Sequence, residues 1–280
     1  MRAKKSLGQH FLNSRHVLEQ IISAVRIKKG ETILEIGPGT GILTAALLNA
    51  RAKVVAVEKD DRATEFLTEK FLKEIIDGRL KLIHGDILDP KIFHFPFSIF
   101  NLQYSIVANI PYYITGAILE KFLAHEPRPN RMVLLVQKEV AERIVARDGK
   151  ESILSISVKA FGTPRIIAKV PRGAFTPAPK VDSAILAIDD ISGAHFQGKY
   201  GQDNNIAHEE TATNVKRFFD IVRAGFAHKR KLLKRNLETI VGAERLDKAW
   251  KDLGLDEKAR AEDMTVEQWF SLSTELRKTP

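Results

Sequence analysis

Short apolar runs rich in β-branched residues alternate with longer amphipathic stretches from Thr32 onward. This alternation is typical of βαβ units, in which helices cover both faces of a parallel sheet. The predicted strands are Thr32–Ile36, Lys53–Glu58, Leu80–His84, Ser105–Ala108 and Met132–Gln137. The predicted helices are Gly41–Asn49, Arg62–Ile76, Thr115–Leu123 and Lys138–Arg147. This part of the chain therefore predicts an α/β fold.

The pattern changes in the second half of the chain. Residues Ser152–Phe161 fit either a strand or a helix, and we favour the helix, whereas Arg165–Val170 and Ser183–Ile188 predict two more strands. Residues 189–213 are polar and poor in large apolar side chains, which predicts a linker or mobile loop. Three helical patterns follow, at Val215–Val241, Ala243–Leu253 and Thr265–Leu276. The predicted organisation is an α/β domain at residues 1–190, a polar linker at 191–213 and a small all-α domain at 214–280.

Composition agrees with this division and excludes several classes of protein. The 280 residues correspond to about two domains of ~150 residues each. The absence of cysteine excludes a disulfide framework and a cysteine-ligated metal site, and no two histidines have convincing metal-ligand spacing. The basic start of the chain lacks a signal-peptide apolar stretch, and no window approaches the ~18 apolar residues of a membrane span. We therefore expect a cytoplasmic protein without metal or membrane association.

The positive charge is concentrated near the C-terminus. The formal net charge is +9, and an excess of this size favours polyanionic partners. Residues 216–238 hold eight basic and two acidic residues, so much of the excess lies in one predicted helix. This helix could simply present a solvated face, but we favour nucleic-acid binding. The predicted contacts are Lys229, Arg230, Lys231, Lys234 and Arg235.

A glycine-rich turn follows the first predicted strand at Glu35–Gly41, with the sequence EIGPGTG. Glycines between a strand and a helix permit close approach of the backbone to a nucleotide. The dinucleotide fingerprint requires a third small residue where Ile42 stands, which argues against a nicotinamide cofactor. A merely tight turn is the alternative.

Two carboxylates end the next two predicted strands. Glu58 follows Gly37 by about 20 residues, the spacing at which an acid can accept hydrogen bonds from both ribose hydroxyls. Asp86 is placed to accept a hydrogen bond from an adenine amino group, since the carboxyl ends of parallel strands bind ligands. Either acid alone could cap a helix or a turn. Together with the glycines they predict a site for an adenosine-containing ligand.

The tetrapeptide Asn109-Ile110-Pro111-Tyr112 is the most specific signal in the chain. The exocyclic amine of adenine is a poor nucleophile because its lone pair is delocalised into the ring. The Asn109 side-chain oxygen and the Ile110 carbonyl, directed by Pro111, could accept both amine hydrogens and localise the lone pair, without a general base. Tyr112 offers a face on which the base could stack. The alternative is a turn with a buried tyrosine.

These residues resemble the family of ribosomal RNA adenine dimethyltransferases, which includes small-subunit enzymes and macrolide-resistance enzymes. The resemblance covers nearly the whole chain and is carried by Ser6–Leu12, Glu35–Gly41, Glu58, Gly85–Leu88, Asn109–Tyr112, Phe175–Ser183 and Ala224–Lys231. The Phe175 segment and the basic helix resemble the small-subunit branch. One departure is His10, which stands where the family often has asparagine.

The resemblance implies a Rossmann-like S-adenosylmethionine-dependent methyltransferase with a small all-α C-terminal domain. It implies that the cofactor is held by His10, Leu12, Gly37, Glu58, Asp86 and Asn109. It implies a catalytic set of Asn109, Ile110, Pro111, Tyr112 and Phe175 around the target base.

The expected substrate is small-subunit rRNA in an immature small ribosomal subunit, with N6 of two adjacent adenosines near the 3′ end dimethylated by a monomeric enzyme. Three alternatives remain at this point: a large-subunit adenine methyltransferase of the resistance type, a nicotinamide-dependent oxidoreductase and a non-catalytic ribosome-assembly factor. The residues Ile42 and Asn109–Tyr112 argue against the oxidoreductase.

Overall fold

The structure is a computed structural model that describes residue 4 and residues 7–94, 103–197 and 205–277. The strands are β1 (Phe11–Leu12), β2 (Thr32–Ile36), β3 (Lys53–Glu58), β4 (Leu80–His84), β5 (Tyr104–Asn109), β6 (Arg131–Gln137), β7 (Thr163–Val170), β8 (Phe175–Thr176) and β9 (Ser183–Asp189). The helices are α1 (Arg15–Val25), α2 (Ile42–Asn49), α3 (Asp61–Lys70), α4 (Leu72–Ile76), α5 (Thr115–Ala124), α6 (Lys138–Ile144), α7 (Ile153–Lys159), α8 (Asn205–Gly225), α9 (Leu233–Val241), α10 (Ala243–Leu253) and α11 (Val266–Glu275).

A seven-stranded sheet in the order β4-β3-β2-β5-β6-β9-β7 forms the centre of the α/β part of the chain. Strands β2 to β6 run parallel, while β9 pairs antiparallel with both β6 and β7. Every residue of β2 is buried, as expected of a strand covered by helices on both faces. The chain order reverses on either side of β2, so β3 and β5 both flank it. This arrangement confirms the predicted α/β class and creates a crevice at the carboxyl ends of β2 and β5.

The first thirty residues contain a helix that was not among the predicted elements. Helix α1 begins at the N-cap Ser14, whose side chain accepts a hydrogen bond from the Val17 amide. It buries Val17, Ile21, Ala24 and Val25, which recur at helical spacing along one face. The spacing of these apolar residues could therefore have predicted the helix, although the helix precedes the first βα repeat.

The predicted helix Arg62–Ile76 is divided into α3 and α4. The division falls at Phe71, whose backbone leaves helical geometry at φ −115° and ψ 26°. The Phe71 side chain is only 6% exposed and belongs to the core of the sheet domain. The break in the helix therefore allows the Phe71 ring to pack into the core.

The chain forms two compact units, one of residues 1–142 and 162–191 and one of residues 143–161 and 192–280. The first unit contains the sheet. The second unit includes α7, although α7 lies within residues 1–190, which were predicted to form the first domain. The reason is that α7 packs against α8 and buries Ser155, Ile156 and Val158. The helix favoured for Ser152–Phe161 is confirmed.

Part of the predicted linker at 191–213 is ordered structure. Phe196 is 2% exposed, and its ring centroid lies 5.1 Å from that of Phe161 and 5.4 Å from those of Phe218 and Phe270. Helix α8 begins at Asn205. The interpretation of the whole stretch as a polar linker is therefore wrong, because one phenylalanine in a polar stretch is enough to anchor it to an aromatic cluster. Residues 198–204 lie outside the described residues.

The predicted helix Val215–Val241 is also interrupted, between α8 and α9. A Cβ on Gly225 would lie 2.4 Å from Trp269 and 2.8 Å from Leu233, so the chain is tightly packed at this point. The buried Asn236 side chain donates hydrogen bonds to the carbonyls of Gly225 and His228 at 2.6 and 3.2 Å. The bond to Gly225 caps the last carbonyl of α8, and the bond to His228 adds to the one that the Lys231 amide donates to the same carbonyl at 3.0 Å, so Asn236 holds the turn in place.

Candidate active site

A cleft opens at the carboxyl ends of β2, β3, β4 and β5, within the sheet unit. Its walls come from the glycine turn after β2, the ends of β3 and β4, the turn after β5, and the segment that precedes and includes β1. The predicted cofactor residues that line it are His10, Leu12, Gly37, Glu58, Asp86 and Asn109. The predicted catalytic residues Ile110, Pro111 and Tyr112 line it as well.

The glycine turn uses its three glycines in different ways, although all have positive φ angles. A Cβ on Gly41 would lie 2.6 Å from both Leu67 and Phe71, and one on Gly39 would lie 3.0 Å from the Phe11 ring. These two glycines therefore allow close packing inside the protein. A Cβ on Gly37, which has φ 67°, would meet no other atom within 4 Å. It lines the cleft and leaves its Cβ space open to a ligand.

Glu58 is 4% exposed and holds the loops on both sides of it. Its Oε2 accepts a hydrogen bond from the Gly39 amide at 3.0 Å. Its Oε1 accepts from the Lys59 and Asp60 amides, both at 2.8 Å. The carboxylate thus couples the glycine turn to the end of β3, and only part of its acceptor capacity remains for a ligand.

Asp86 lies at the end of β4 in an ion pair with Lys59. The Lys59 Nζ to Asp86 Oδ2 distance is 2.7 Å, and Asp86 Oδ1 accepts from the Leu88 amide at 2.9 Å. Burial opposes ionisation of Asp86, but the bonds donated by Lys59 and Leu88 outweigh it, so its pKa lies below the ordinary value. Lys59 was not singled out from the sequence, since a lysine after a strand is usually only a solvated charge.

Glu35 is a second residue of the cleft whose individual role the sequence did not indicate. It is 1% exposed at the end of β2, lines the cleft, and neither carboxylate oxygen has a hydrogen-bond partner among the described residues. Burial raises its pKa to about 8, more than the neighbouring Thr44 lowers it, and Glu58 adds a smaller repulsion. An unpartnered buried carboxylate is costly unless a ligand supplies a donor. The sequence could have indicated this role, because Glu35 is the only charged residue in the apolar stretch predicted as the first strand.

The turn Asn109–Tyr112 is tied to the N-terminal segment and to β9. The Asn109 Nδ2 donates to the His10 carbonyl at 2.9 Å, which directs Oδ1 away from that contact. The Tyr112 hydroxyl and Ser183 Oγ lie 2.7 Å apart, and burial raises the pKa of the phenol. Both side chains are therefore fixed in orientation before any substrate binds.

The segment before β1 is held over the cleft by a short polar network. Gln9 Nε2 donates to Asp60 Oδ2 at 3.1 Å, and Arg62 pairs with the same carboxylate at 2.6 Å. The bonds from Arg62 lower the pKa of Asp60 to about 2, so this anchor stays charged. The Asn109 contact to the His10 carbonyl provides a second anchor one residue further along the chain.

Phe175 lies in the core and not among the residues that line the cleft. It belongs to β8, which pairs antiparallel with β1 so that Leu12 faces Phe175. The Phe175 side chain is 3% exposed, forms part of the core and does not line the cleft. Pairing with β1 holds this ring in the interior opposite Leu12, and its role beside the target base stays a prediction of the resemblance.

The basic residues of the second unit fall into two groups. Lys229, Arg230 and Lys231 are exposed in the turn between α8 and α9, and not on a helix as predicted. Arg235 is exposed on α9. Lys234 is instead engaged by Asp247 at 2.8 Å and by Glu257 at 2.9 Å, and its side chain is only 18% exposed. The two carboxylates thus largely neutralise the positive charge of Lys234.

The described residues hold neither a metal-binding cluster nor a membrane-spanning helix. They contain no group of three or more histidine, cysteine, aspartate or glutamate residues that could hold a metal ion. None of the helices in this part of the chain is long and apolar enough to cross a membrane.

Comparison with known sequences identifies the family. The model of the family described as "Ribosomal RNA adenine dimethylase" matches residues 1–202. The protein named "Ribosomal RNA small subunit methyltransferase A" from Dehalococcoides mccartyi is 38% identical over 288 residues, covering 100% of this chain and 90% of the relative. The protein of the same name from Nostoc punctiforme is 38% identical over 291 residues, covering 99% and 96%.

Comparison with solved structures gives the same result. A dimethyladenosine transferase from Plasmodium falciparum has a TM-score of 0.71 and 26% identity, covering 94% of this chain and 96% of its own. The 23S rRNA methyltransferase ErmE shares the fold, with a TM-score of 0.69 and 24% identity over 96% of this chain and 100% of its own. With a family model over most of its length and relatives of this identity over all of it, the chain belongs to the ribosomal RNA adenine dimethylase family.

Proposed function

We propose that this protein is a small-subunit rRNA adenine dimethyltransferase. It transfers methyl groups from S-adenosylmethionine to N6 of two adjacent adenosines near the 3′ end of the RNA, acting as a monomer on immature small ribosomal subunits in the cytoplasm. The observation that carries this proposal is the Asn109–Tyr112 turn, which borders a cleft lined by Glu35, Glu58 and Asp86. The full-length relatives named for the small subunit favour that substrate over large-subunit RNA.

The residues of the cleft fit S-adenosylmethionine. Glu35 offers two buried oxygens without partners among the described residues, which suit the α-ammonium group of the methionine part. Glu58 has acceptor capacity for the ribose hydroxyls, and Gly37 leaves room for the ligand beside the backbone. Asp86 would accept the adenine amino group, for which it must share or give up its bond with Lys59. When bound, the cofactor supplies an activated methyl group on a sulfonium.

The turn after β5 suits the other reactant. Asn109 Oδ1 is directed away from His10 by the bond that Nδ2 donates, so it can accept one N6 hydrogen while the Ile110 carbonyl accepts the other. Tyr112 provides a stacking face that its hydroxyl contact with Ser183 holds in place. The protein's contribution is then mainly orientation, with the reacting atoms held ~3–3.5 Å apart.

The exposed turn at Lys229–Lys231 suits the phosphate backbone of the RNA. Its three basic side chains extend from a part of the chain that the buried Asn236 keeps in one conformation. Phosphate contacts position an RNA without reading its sequence. Recognition of the adenosines is then left to the cleft and to the shape of the folded RNA.

Labelling of ribosomal subunits tests the proposal. Purified protein, labelled S-adenosylmethionine and unmethylated small subunits should give labelled small-subunit RNA that yields N6,N6-dimethyladenosine on digestion. The Asn109→Ala variant should bind the RNA but incorporate little label, since the missing acceptor matters chiefly while the amine attacks. Label confined to large-subunit RNA would indicate the resistance-type activity. Binding without label in either RNA would indicate a non-catalytic assembly factor.

A further inference from the structure

Lys59 and Asp86 form an ion pair in the part of the cleft that is proposed to hold the adenine of the cofactor. Lys59 follows the last residue of β3, and Asp86 lies just beyond β4, the neighbouring strand. Both residues line the cleft. The Lys59 Nζ donates to Asp86 Oδ2 at 2.7 Å, and the two side chains are 56% and 36% exposed. The pair therefore lies where the ligand would bind and is also in contact with solvent.

The two carboxylate oxygens of Asp86 have different partners. Its Oδ1 accepts a hydrogen bond from the Leu88 amide at 2.9 Å, a bond within the turn that follows β4. Its Oδ2 accepts from Lys59. Lys121 adds a weaker attraction through its charge. The turn thus fixes Oδ1, and Oδ2 is the oxygen that suits the amino group of adenine and that Lys59 contacts.

We infer that Lys59 is an intramolecular competitor of the cofactor, because its ammonium group and the 6-amino group of adenine use the same oxygen of Asp86; the inference rests on the proposed function. Adenine takes this oxygen when Lys59 Nζ moves into solvent. An ammonium group that stayed would be covered by the purine ring and would lose its hydration. The exposure of Lys59 and its flexible four-carbon stem allow the movement. Binding of the cofactor therefore includes the loss of one ion pair.

The proposed reaction gives this competition a use. Two methyl groups on each of two adenosines require repeated transfers, and each transfer leaves S-adenosylhomocysteine in the cleft. This product has the same adenine as S-adenosylmethionine, so a tightly bound product would delay the next transfer. Lys59 competes with the part that both molecules share. It therefore lowers the affinity for the product and favours its exchange for fresh cofactor.

Calorimetric titration of Lys59→Met with S-adenosylhomocysteine tests the inference. Methionine keeps an unbranched side chain but has no ammonium group. The ligand carries one ammonium and one carboxylate and so has no net charge, which removes any general effect of the lost lysine charge. We expect about two- to fivefold tighter binding to the variant than to wild type, the range expected for an exposed ion pair. This difference should shrink between about 50 mM and about 500 mM salt, because salt screens the pair in wild type.

Two controls separate competition for Asp86 from other effects of the substitution. Lys53→Met removes the same charge from the exposed first residue of β3, at the opposite end of the strand, and should bind the ligand as wild type does. The purine analogue of S-adenosylhomocysteine, with hydrogen in place of the 6-amino group, has no donor for Asp86. Its affinity should be the same for wild type and Lys59→Met.

A double variant places the effect at Asp86. In the Asp86→Asn background Lys59 has no carboxylate to pair with, so Lys59→Met should no longer tighten binding. Weaker binding of S-adenosylhomocysteine to the single variant Lys59→Met would overturn the inference, since Lys59 would then help to hold the ligand. Unchanged binding, or an equal gain for the analogue without the amino group, would overturn it too. Failure of wild type to bind either S-adenosylmethionine or S-adenosylhomocysteine would instead overturn the proposed function.

Discussion

At the scale of single residues, the unusual feature of this protein is the number of carboxylates around one cleft and how differently they are compensated. Glu58 accepts three backbone hydrogen bonds, and Asp86 is paired with Lys59. Among the described residues, Glu35 has neither kind of partner. Because S-adenosylmethionine carries a sulfonium and an ammonium, a cleft with an uncompensated acid is suited to a cationic ligand.

Glu35 makes stability depend on pH in a predictable direction. Its pKa rises from 4.5 to about 8 on folding, so between these values the folded chain holds a proton that the unfolded chain has released. The free energy of unfolding must therefore fall as pH rises through this range. In Glu35→Gln this loss should be absent, and the variant should gain on the order of 2–4 kcal/mol relative to wild type between pH 5 and pH 9.

Urea denaturation of both proteins without cofactor, at pH 5, 7 and 9, measures this difference. Parallel pH curves for wild type and Glu35→Gln would contradict the assignment of a raised pKa. The same variant should also bind S-adenosylmethionine more weakly, because the ammonium group of the ligand favours the ionised form of Glu35 and glutamine cannot ionise.

At the scale of elements, the glycine turn between β2 and α2 combines two requirements in one short segment. Gly39 and Gly41 permit packing against Phe11, Leu67 and Phe71, while Gly37 permits approach of a ligand. A strand that ends in such a turn brings the start of the next helix to the cleft without side chains in between. The three positions should therefore respond differently to the same substitution.

Gly37→Ala separates backbone strain from loss of ligand space when it is compared with Gly78→Ala. Both glycines have left-handed backbones, at φ 67° and 70°, and neither would bring a Cβ within 4 Å of another atom. Each variant should lose about 1 kcal/mol of stability. Only Gly37→Ala should weaken S-adenosylmethionine binding, by about tenfold or more, because its methyl group occupies space in the cleft. Calorimetric titration of the two variants measures this, and equal affinities would show that the ligand does not approach Gly37.

At the scale of the whole molecule, the two units carry charges of opposite sign at the places where we propose that they bind their ligands. The sheet unit contains the acidic cleft, and the helical unit carries the exposed basic turn at 229–231. A net charge of +9 therefore does not describe a uniformly basic surface. It favours encounter with RNA, while the cleft keeps the opposite sign for a cationic cofactor.

The basic turn gives a prediction about RNA affinity. Replacing Lys229, Arg230 and Lys231 with alanine should weaken binding to the small-subunit substrate and flatten the log–log salt dependence by roughly 0.7–0.9 for each phosphate that is no longer neutralised. Cofactor binding should not change. The matched control removes the same charge from three exposed lysines of the helical unit, Lys248, Lys251 and Lys258. Equal losses of affinity in both triple variants would show that net charge, and not this turn, determines affinity.

Features that depend on neighbouring residues in the chain could be predicted from the sequence alone. The strands β2, β3 and β4 have the predicted bounds, because a buried parallel strand is a continuous apolar run between turn residues. The glycine turn and the carboxylates at strand ends were predictable for the same reason. Since parallel strands place their carboxyl ends at one edge, local patterns sufficed to bring Gly37, Glu58, Asp86 and Asn109 to one cleft.

Features that depend on distant contacts were decided only by the tertiary structure. Pairing of β8 with β1 buries Phe175, a pairing between distant parts of the chain that no local pattern encodes. Lys234 is compensated by Asp247 and Glu257, and α7 joins the helical unit, because packing partners are chosen by surface complementarity and not by order in the chain. Glu35 and His10 acquire their chemistry in the same way. The pKa of Glu35 is set by burial, which raises it more than Thr44 lowers it. The orientation of the His10 ring is set by the Pro177 carbonyl, which lies 167 positions further along the chain.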